Sequence, residues 1–138
     1  MSRTRLAAAA VTVAVLVVTL GGCGRVKQDR MASALYSATK GDQESIRWGY
    51  FDAAIGFLAP DERGDVDMDA FNNIRVTGYD VVQPAVITPQ QTAVQLVRID
   101  YVLQDEQRLK HLADRQEWRW DEHSGVWWLH SGLPKFDG

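Results

Sequence analysis

The chain has 138 residues, 46% of them hydrophobic, and carries 15 Lys+Arg against 18 Asp+Glu, for a formal charge of -3. This length corresponds to one domain, and the hydrophobic content, which includes five Trp, excludes wholesale disorder. A dedicated nucleic-acid binder usually carries a concentrated basic surface, so the acidic balance predicts no nucleic-acid partner.

The N-terminal segment has the pattern of an export signal. Arg3 and Arg5 precede an uncharged, mainly apolar run over residues 6–20, which is shorter than the about 20 residues that a membrane-spanning helix needs. The run ends in Leu20-Gly21-Gly22-Cys23, which resembles the lipobox of bacterial lipoproteins: an aliphatic residue, two small residues, and Cys at the cleavage point. The alternatives are an uncleaved signal anchor and an ordinary secretory signal with an incidental Cys.

The lipobox resemblance implies that residues 1–22 are a cleaved signal peptide and that Cys23 carries a diacylglyceryl group, with palmitate-type chains. Two or more such chains anchor a protein stably in a membrane. Cys23 is the only cysteine, and lipidation accounts for a lone thiol in an exported protein. Because Gly24 stands where Asp commonly retains lipoproteins at the inner membrane, the resemblance favours the periplasmic face of the outer membrane in a host with two membranes.

Two helices are predicted after a polar tether that ends at residue 30. Apolar residues at helical spacing predict a first helix that ends near Gly41: Met31, Ala34, Leu35 and Ala38. Asp42 would then cap a second helix, which Pro60 stops. Small residues at helical spacing in the second helix predict close packing against a sheet: Gly49, Ala53 and Gly56.

The acidic segment that follows is a candidate calcium loop. Asp65-x-Asp67-x-Asp69 matches the start of an EF-hand, but Ala70 stands where Gly makes the turn and Val76 where a bidentate Glu belongs. The sequence therefore predicts a solvated acidic loop and no metal site.

From Ile74 onward the pattern changes to alternation and β-branched residues. The sequence predicts strands over 74–82, ending before Pro84, then 93–103, 111–120 and 126–133. The result is an α+β fold, a single domain over residues 31–138 in which N-terminal helices pack on a four-stranded antiparallel sheet.

This order of elements resembles the cystatin-like or nuclear-transport-factor-2-like cone. The ending Trp118-x-Trp120, a turn at Gly125, Trp127-Trp128-Leu129 and Leu133-Pro134 is similar to that of small envelope lipoproteins of uncharacterised role. The resemblance implies a curved, cone-like sheet wrapped around the helices. No catalytic motif of that superfamily carries over to residues of this chain.

The cluster of four Trp between residues 118 and 128 is the most unusual feature of the chain. Trp118, Trp120 and Trp128 either line a pocket for a ligand or build the core. Alternating aromatic residues on facing strands form cross-strand pairs without a ligand, which favours the core. The adjacent pair Trp127 and Trp128 must point to opposite faces, so at least one of them is partly exposed or covered from outside the main core.

His130 is the candidate general base. It lies on the same side of its strand as Trp128 and would need a carboxylate beside it in a cavity. No cofactor-binding, metal-binding or nucleophile motif is present in the sequence. The sequence therefore predicts a non-catalytic envelope lipoprotein that binds a protein partner or a small apolar ligand; the alternative is a cone-fold enzyme that acts on a small apolar substrate.

Overall fold

The structure is a computed structural model that describes residues 3–137, with side chains from residue 22 onward. In chain order the elements are α1 (Arg3–Arg47), α2 (Phe51–Ala54), three 3-10 turns (Ile55–Phe57, Pro60–Asp65 and Met68–Phe71), β1 (Ile74–Ile87), β2 (Thr92–Leu103), β3 (Arg108–Asp121) and β4 (Val126–Leu129). The chain divides after Ser33 into two compact units. The first contains the N-terminal part of α1, including residues 24–30, and the side chains of most of the predicted signal peptide lie outside the described residues.

No helix within the described residues is long and apolar enough to cross a membrane.

One long helix replaces the two that the sequence predicts. α1 continues through Gly41 to Arg47, and Asp42 lies on the same helix face as Leu35 and Ile46, all three of them buried. Asp42 is therefore not a helix cap, and the predicted break at Gly41 is wrong. The glycine has a packing role, since a Cβ at this position would lie 2.6 Å from the ring tip of Phe57.

Gly49 ends α1 instead of packing inside a second helix. Its φ of +75° is the left-handed conformation that glycine adopts freely. The Gly49 N–H donates to the Ile46 carbonyl at 3.2 Å and the Tyr50 N–H to the Ser45 carbonyl at 2.8 Å, which is the hydrogen-bond pattern of a Schellman cap. The predicted strip of small residues does not form, because Ala53 is exposed and open space surrounds Gly56.

The four strands form one antiparallel sheet in the order β1-β2-β3-β4, which confirms the predicted meander. β1 continues through Pro84 to Ile87, so the predicted end before Pro84 is wrong. The strand tolerates a proline because β1 lies at the edge of the sheet and its pairing with β2 is interrupted by register shifts on both sides of Gln83.

The core of the second unit lies between α1 and the inner face of the sheet. On β2 the odd-numbered residues from Ala93 to Leu103 are all buried, as the alternation predicts. Trp118 on β3 is fully buried and Trp127 on β4 is 2% exposed, whereas Trp120 and Trp128 are partly exposed. The core prediction is thus confirmed for Trp118 and holds only in part for Trp120.

These positions predict different costs for removing the two indoles of β3. Truncating a fully buried Trp costs about 3 to 5 kcal/mol, so Trp118→Ala should lower the free energy of unfolding by that amount. Trp120→Ala should lower it clearly less, because Trp120 keeps solvent contact and its main partner is Trp127, at 5.5 Å between ring centroids. Chemical denaturation of both variants beside the parent measures the difference, and equal losses would contradict the assigned burial.

Candidate functional site

Of the four residues predicted to line a pocket, three lie on the two faces of the sheet. His130 lies just beyond β4, because this strand ends at Leu129 and the predicted extent to residue 133 is wrong. Trp118 and Trp120 lie on the inner face, where they pair with Leu129 and Trp127 of β4, respectively. Trp128 lies on the opposite face, where the Arg63 guanidinium stands 5.2 Å from its ring centroid. The structure therefore does not bring Trp118 and Trp128 into one pocket, because neighbouring strand positions point to opposite sides.

His130 has the carboxylate neighbour that a general base would need. Its Nδ1 lies 3.6 Å from Oε1 of Glu62, which belongs to the 3-10 turn Pro60–Asp65. His111 makes a similar pair with Asp100 at 3.3 Å on the solvent side of the sheet, and His123 is exposed in the turn after β3. Of the three histidines, only His130 is both partly buried and next to a cavity.

A buried polar cluster joins α1 to all three long strands. At its centre, the Gln116 side-chain amide of β3 donates to Oδ2 of Asp42 on α1 and to the Tyr79 hydroxyl on β1, both at 3.0 Å. The Gln116 Oε1 accepts from the Gln95 amide of β2 at 3.1 Å and from the Trp118 indole N–H at 3.3 Å. One side chain therefore satisfies polar groups from four elements.

Two carboxyl groups in this cluster lie in an environment that disfavours charge. Burial, opposed by the Gln116 hydrogen bond and reinforced by the nearby charge of Asp114, raises the pKa of Asp42 to about 7. Burial also raises the pKa of Asp114, and burial together with the Asp42 charge raises the pKa of Tyr79. Oδ1 of Asp42 has no hydrogen-bond partner among the described residues, so the neutral acid costs less to bury than the carboxylate.

The centre of this cluster is closed to solvent, whereas Asp114 at its margin is partly exposed. Asp42 and Gln116 have no exposed surface, and Gln95 has 4%. Asp42 and Gln116 are therefore inaccessible to a substrate in the folded protein. The cluster therefore stabilises the fold and helps to fix the register of the strands.

A cavity of about 440 Å³ lies between the 3-10 turns and the C-terminal segment. Its apolar part includes Leu58, Phe71 and Phe136, and its acidic part includes Glu62 and Asp65. The C-terminal wall is tied to β2, because the Asp137 N–H donates to the Tyr101 hydroxyl at 3.2 Å. His130 is next in sequence to the lining residue Ser131 but does not itself line the cavity.

A second, apolar groove of about 370 Å³ lies between α1 and β4. Ala34 and Ala38 line its helix side, and Phe57, Trp127 and Trp128 line the opposite side. Trp128 is thus the one predicted pocket residue that lines a described cavity.

The acidic segment forms a capped turn. Asp67 accepts the Asp69 N–H through Oδ1 at 3.0 Å and caps the turn Met68–Phe71. Over residues 22–137, no group of three or more His, Cys, Asp or Glu is arranged to hold a metal ion.

Comparison of the chain with protein-family models, with curated proteins and with solved structures finds no match. The site must therefore be interpreted from its own geometry.

Sequence reasoning missed the polar cluster and the cavity. Asp42 could have been found by its spacing, seven residues after Leu35 and four before Ile46, which places it on the buried stripe. Gln95 falls at an inward position of a strand whose other inward residues are apolar, and Gln116 lies two residues before the buried Trp118 on the inward side of β3. No local signal marks the cavity, because its walls come from residues 58–71 and 131–136.

The raised pKa of Asp42 predicts that the fold loses stability as pH rises. The folded state binds this proton more tightly than the unfolded chain, whose Asp pKa is about 3.9. Stability should therefore fall between about pH 4 and pH 7, by up to about 1.4 kcal/mol per pH unit from this group, with a smaller effect of the same sign from Asp114. Denaturation midpoints across this range measure the slope.

Asp42→Asn should reduce the slope, because the amide stays neutral at every pH and has nearly the same shape. The exposed Asp52 provides the control, since Asp52→Asn should keep the slope of the parent. A parental slope in Asp42→Asn would show that Asp42 is already charged in the folded protein near pH 4.

Proposed function

We propose that this protein is an envelope lipoprotein, anchored by lipid on Cys23 after cleavage of residues 1–22, whose domain is a non-catalytic binding or accessory module. The lipobox pattern Leu20-Gly21-Gly22-Cys23 supports the anchor. Cys23 is exposed, as a thiol open to modification must be. The cone-like sheet, the outer-membrane location and a protein partner at the envelope belong to the same proposal.

The observation that carries the non-catalytic assignment is the filled inner face of the sheet. Trp118, Tyr101 and Leu129 occupy it with at most 1% exposure, and Gln116 fills the space next to α1 with hydrogen bonds to Asp42 and Tyr79. A cone enzyme needs a hollow interior in which a base meets its substrate. Binding therefore falls to the periphery, at the cavity beside Glu62 and the groove beside Trp128.

The anchor is tested by metabolic labelling with a radioactive fatty acid in a bacterial host. The full chain should take up label and lose its N-terminal 22 residues, whereas Cys23→Ser should do neither. The double variant Cys23→Ser/Ser33→Cys restores a single exposed thiol ten residues along the chain and should stay unlabelled. Label in either variant would overturn the lipobox assignment.

A second candidate function, an enzyme with His130 as general base, is supported by the His130–Glu62 pair at 3.6 Å. This carboxylate can hold the imidazole in one orientation, as a general base requires. The catalytic role would require a substrate in the 440 Å³ cavity to come within hydrogen-bond reach of His130.

Chemical modification tests whether a ligand in the cavity comes close to His130, as the enzyme candidate requires. Diethyl pyrocarbonate acylates accessible imidazoles, and 4-phenylbutanol serves as a neutral probe for the cavity. The enzyme candidate predicts that saturating probe slows acylation of His130 at least threefold and leaves the distant, Asp100-paired His111 unchanged, as followed by mass spectrometry of the peptides. Equal rates at His130 with and without bound probe would remove it as a base for a ligand of this cavity.

A further inference from the structure

The cavity beside the 3-10 turns has an aromatic wall that is built from distant parts of the chain. Phe71 stacks on Phe51 at 4.4 Å between ring centroids, and Phe136 meets Phe71 edge-on at 6.1 Å. Phe136 also packs edge-on against Tyr101 at 4.9 Å. Because Tyr101 is buried in the sheet, this wall is held in place before any ligand enters.

The charges that line the cavity are mainly negative. Glu62, Asp65 and Asp67 contribute three carboxylates, and Lys135 is the one basic side chain among its lining residues. Glu62 faces His130, but no ion pair within the described residues involves Asp65 or Asp67. Arg63 lies in the same turn and is directed elsewhere, since its guanidinium donates to the carbonyls of Leu58 and Gly56.

We propose that this cavity binds a small organic cation, an ammonium group on an apolar body, with the body against Phe71 and Phe136 and the ammonium at Asp65 and Asp67. The inference rests on the proposed function of a binding module and specifies its ligand class. A volume of about 440 Å³ falls within the about 300 to 1,000 Å³ usual for small-molecule sites.

Charge complementarity selects the cation over its alternatives. An anion of the same shape would meet three carboxylates and a single ammonium, in a chain whose formal charge is -3. A neutral ligand would fill the apolar part but would gain at most a hydrogen bond from the carboxylates, without the attraction between opposite charges. The aromatic wall contacts the apolar body of each ligand alike, so the carboxylates decide the preference.

Three probes of matched shape and different charge test the proposal: 4-phenylbutylamine, 4-phenylbutanol and 4-phenylbutanoate. Each is titrated calorimetrically into the full chain in lipid nanodiscs, with empty nanodiscs as the blank. The amine should bind at least tenfold more tightly than the alcohol, and the carboxylate should bind most weakly. Added salt should weaken binding of the amine and leave binding of the alcohol unchanged, since salt screens only the attraction between the ammonium and the carboxylates.

Two pairs of variants locate the site. Asp65→Asn/Asp67→Asn should bring the affinity of the amine to within threefold of that of the alcohol, because Asn keeps the turn cap at residue 67. The control Asp52→Asn/Asp61→Asn removes two charges outside the cavity lining and should keep the tenfold preference. Ala70→Phe, at an exposed lining position, should abolish binding of all three probes, whereas Ala53→Phe, at an exposed position elsewhere, should not.

Each outcome has a definite consequence. Equal affinities for amine and alcohol, both lost in Ala70→Phe, would overturn the cation preference and leave the binding module in place. Absence of binding, or binding that survives Ala70→Phe, would overturn the site itself. Neither result bears on fatty-acid labelling at Cys23, so failure of the anchor is detected separately.

Discussion

The hydrogen bond between Asp42 and Gln116 is the constraint on which the second unit depends. A carboxyl group on the buried face of α1 cannot be left without a partner, because burying an unpaired polar group costs several kcal/mol. Gln116 meets this need at Oδ2 of Asp42, donates also to the Tyr79 hydroxyl, and accepts from Gln95 and the Trp118 indole. Sliding β3 by one residue would turn Gln116 to the outer face, so the same bond opposes register errors.

The arrangement at Gln116 leaves little tolerance for change. Its amide nitrogen has two hydrogens, which the two contacts at 3.0 Å use, while the third contact, to Asp114, is longer at 3.3 Å. Two carboxyl groups with raised pKa share one amide donor, and burial is the first cause of both shifts. The buried polar cluster fixes the register of the strands, but it makes the free energy of unfolding depend on pH. An apolar core would not have this dependence.

In the proposed function, the closed core leaves binding to the segments around it. The inner face of the sheet holds Trp118 and Tyr101, and the cavity lies where the 3-10 turns meet the C-terminal segment, outside the regular elements. Irregular segments commonly carry binding residues on a rigid scaffold. Here the scaffold reaches the cavity through Tyr101, which contacts Phe136 with its ring and Asp137 with its hydroxyl.

Local pattern by itself determined the class of fold and much of the core. Alternation on β2 and β3 placed Trp118 inside, and the change of period near Ile74 separated helix from sheet. The pattern from which an export signal ending at Cys23 is predicted is likewise local, since it consists of neighbouring residues in one segment. Such features are readable because each residue's role follows from its near neighbours in sequence.

Only the tertiary structure decided where residues that usually interrupt a helix, a strand or an apolar core are tolerated. Gly41 sits inside a helix because the Phe57 ring approaches it there, and Pro84 sits inside a strand because that strand is an edge. Asp42 is buried because Gln116, 74 residues away, supplies its partner. The cavity, too, joins residues from either side of the sheet-forming sequence. These contacts depend on long-range packing. It overrides the local preference of glycine, proline or aspartate when the distant contact stabilises the fold by more than the local preference opposes it.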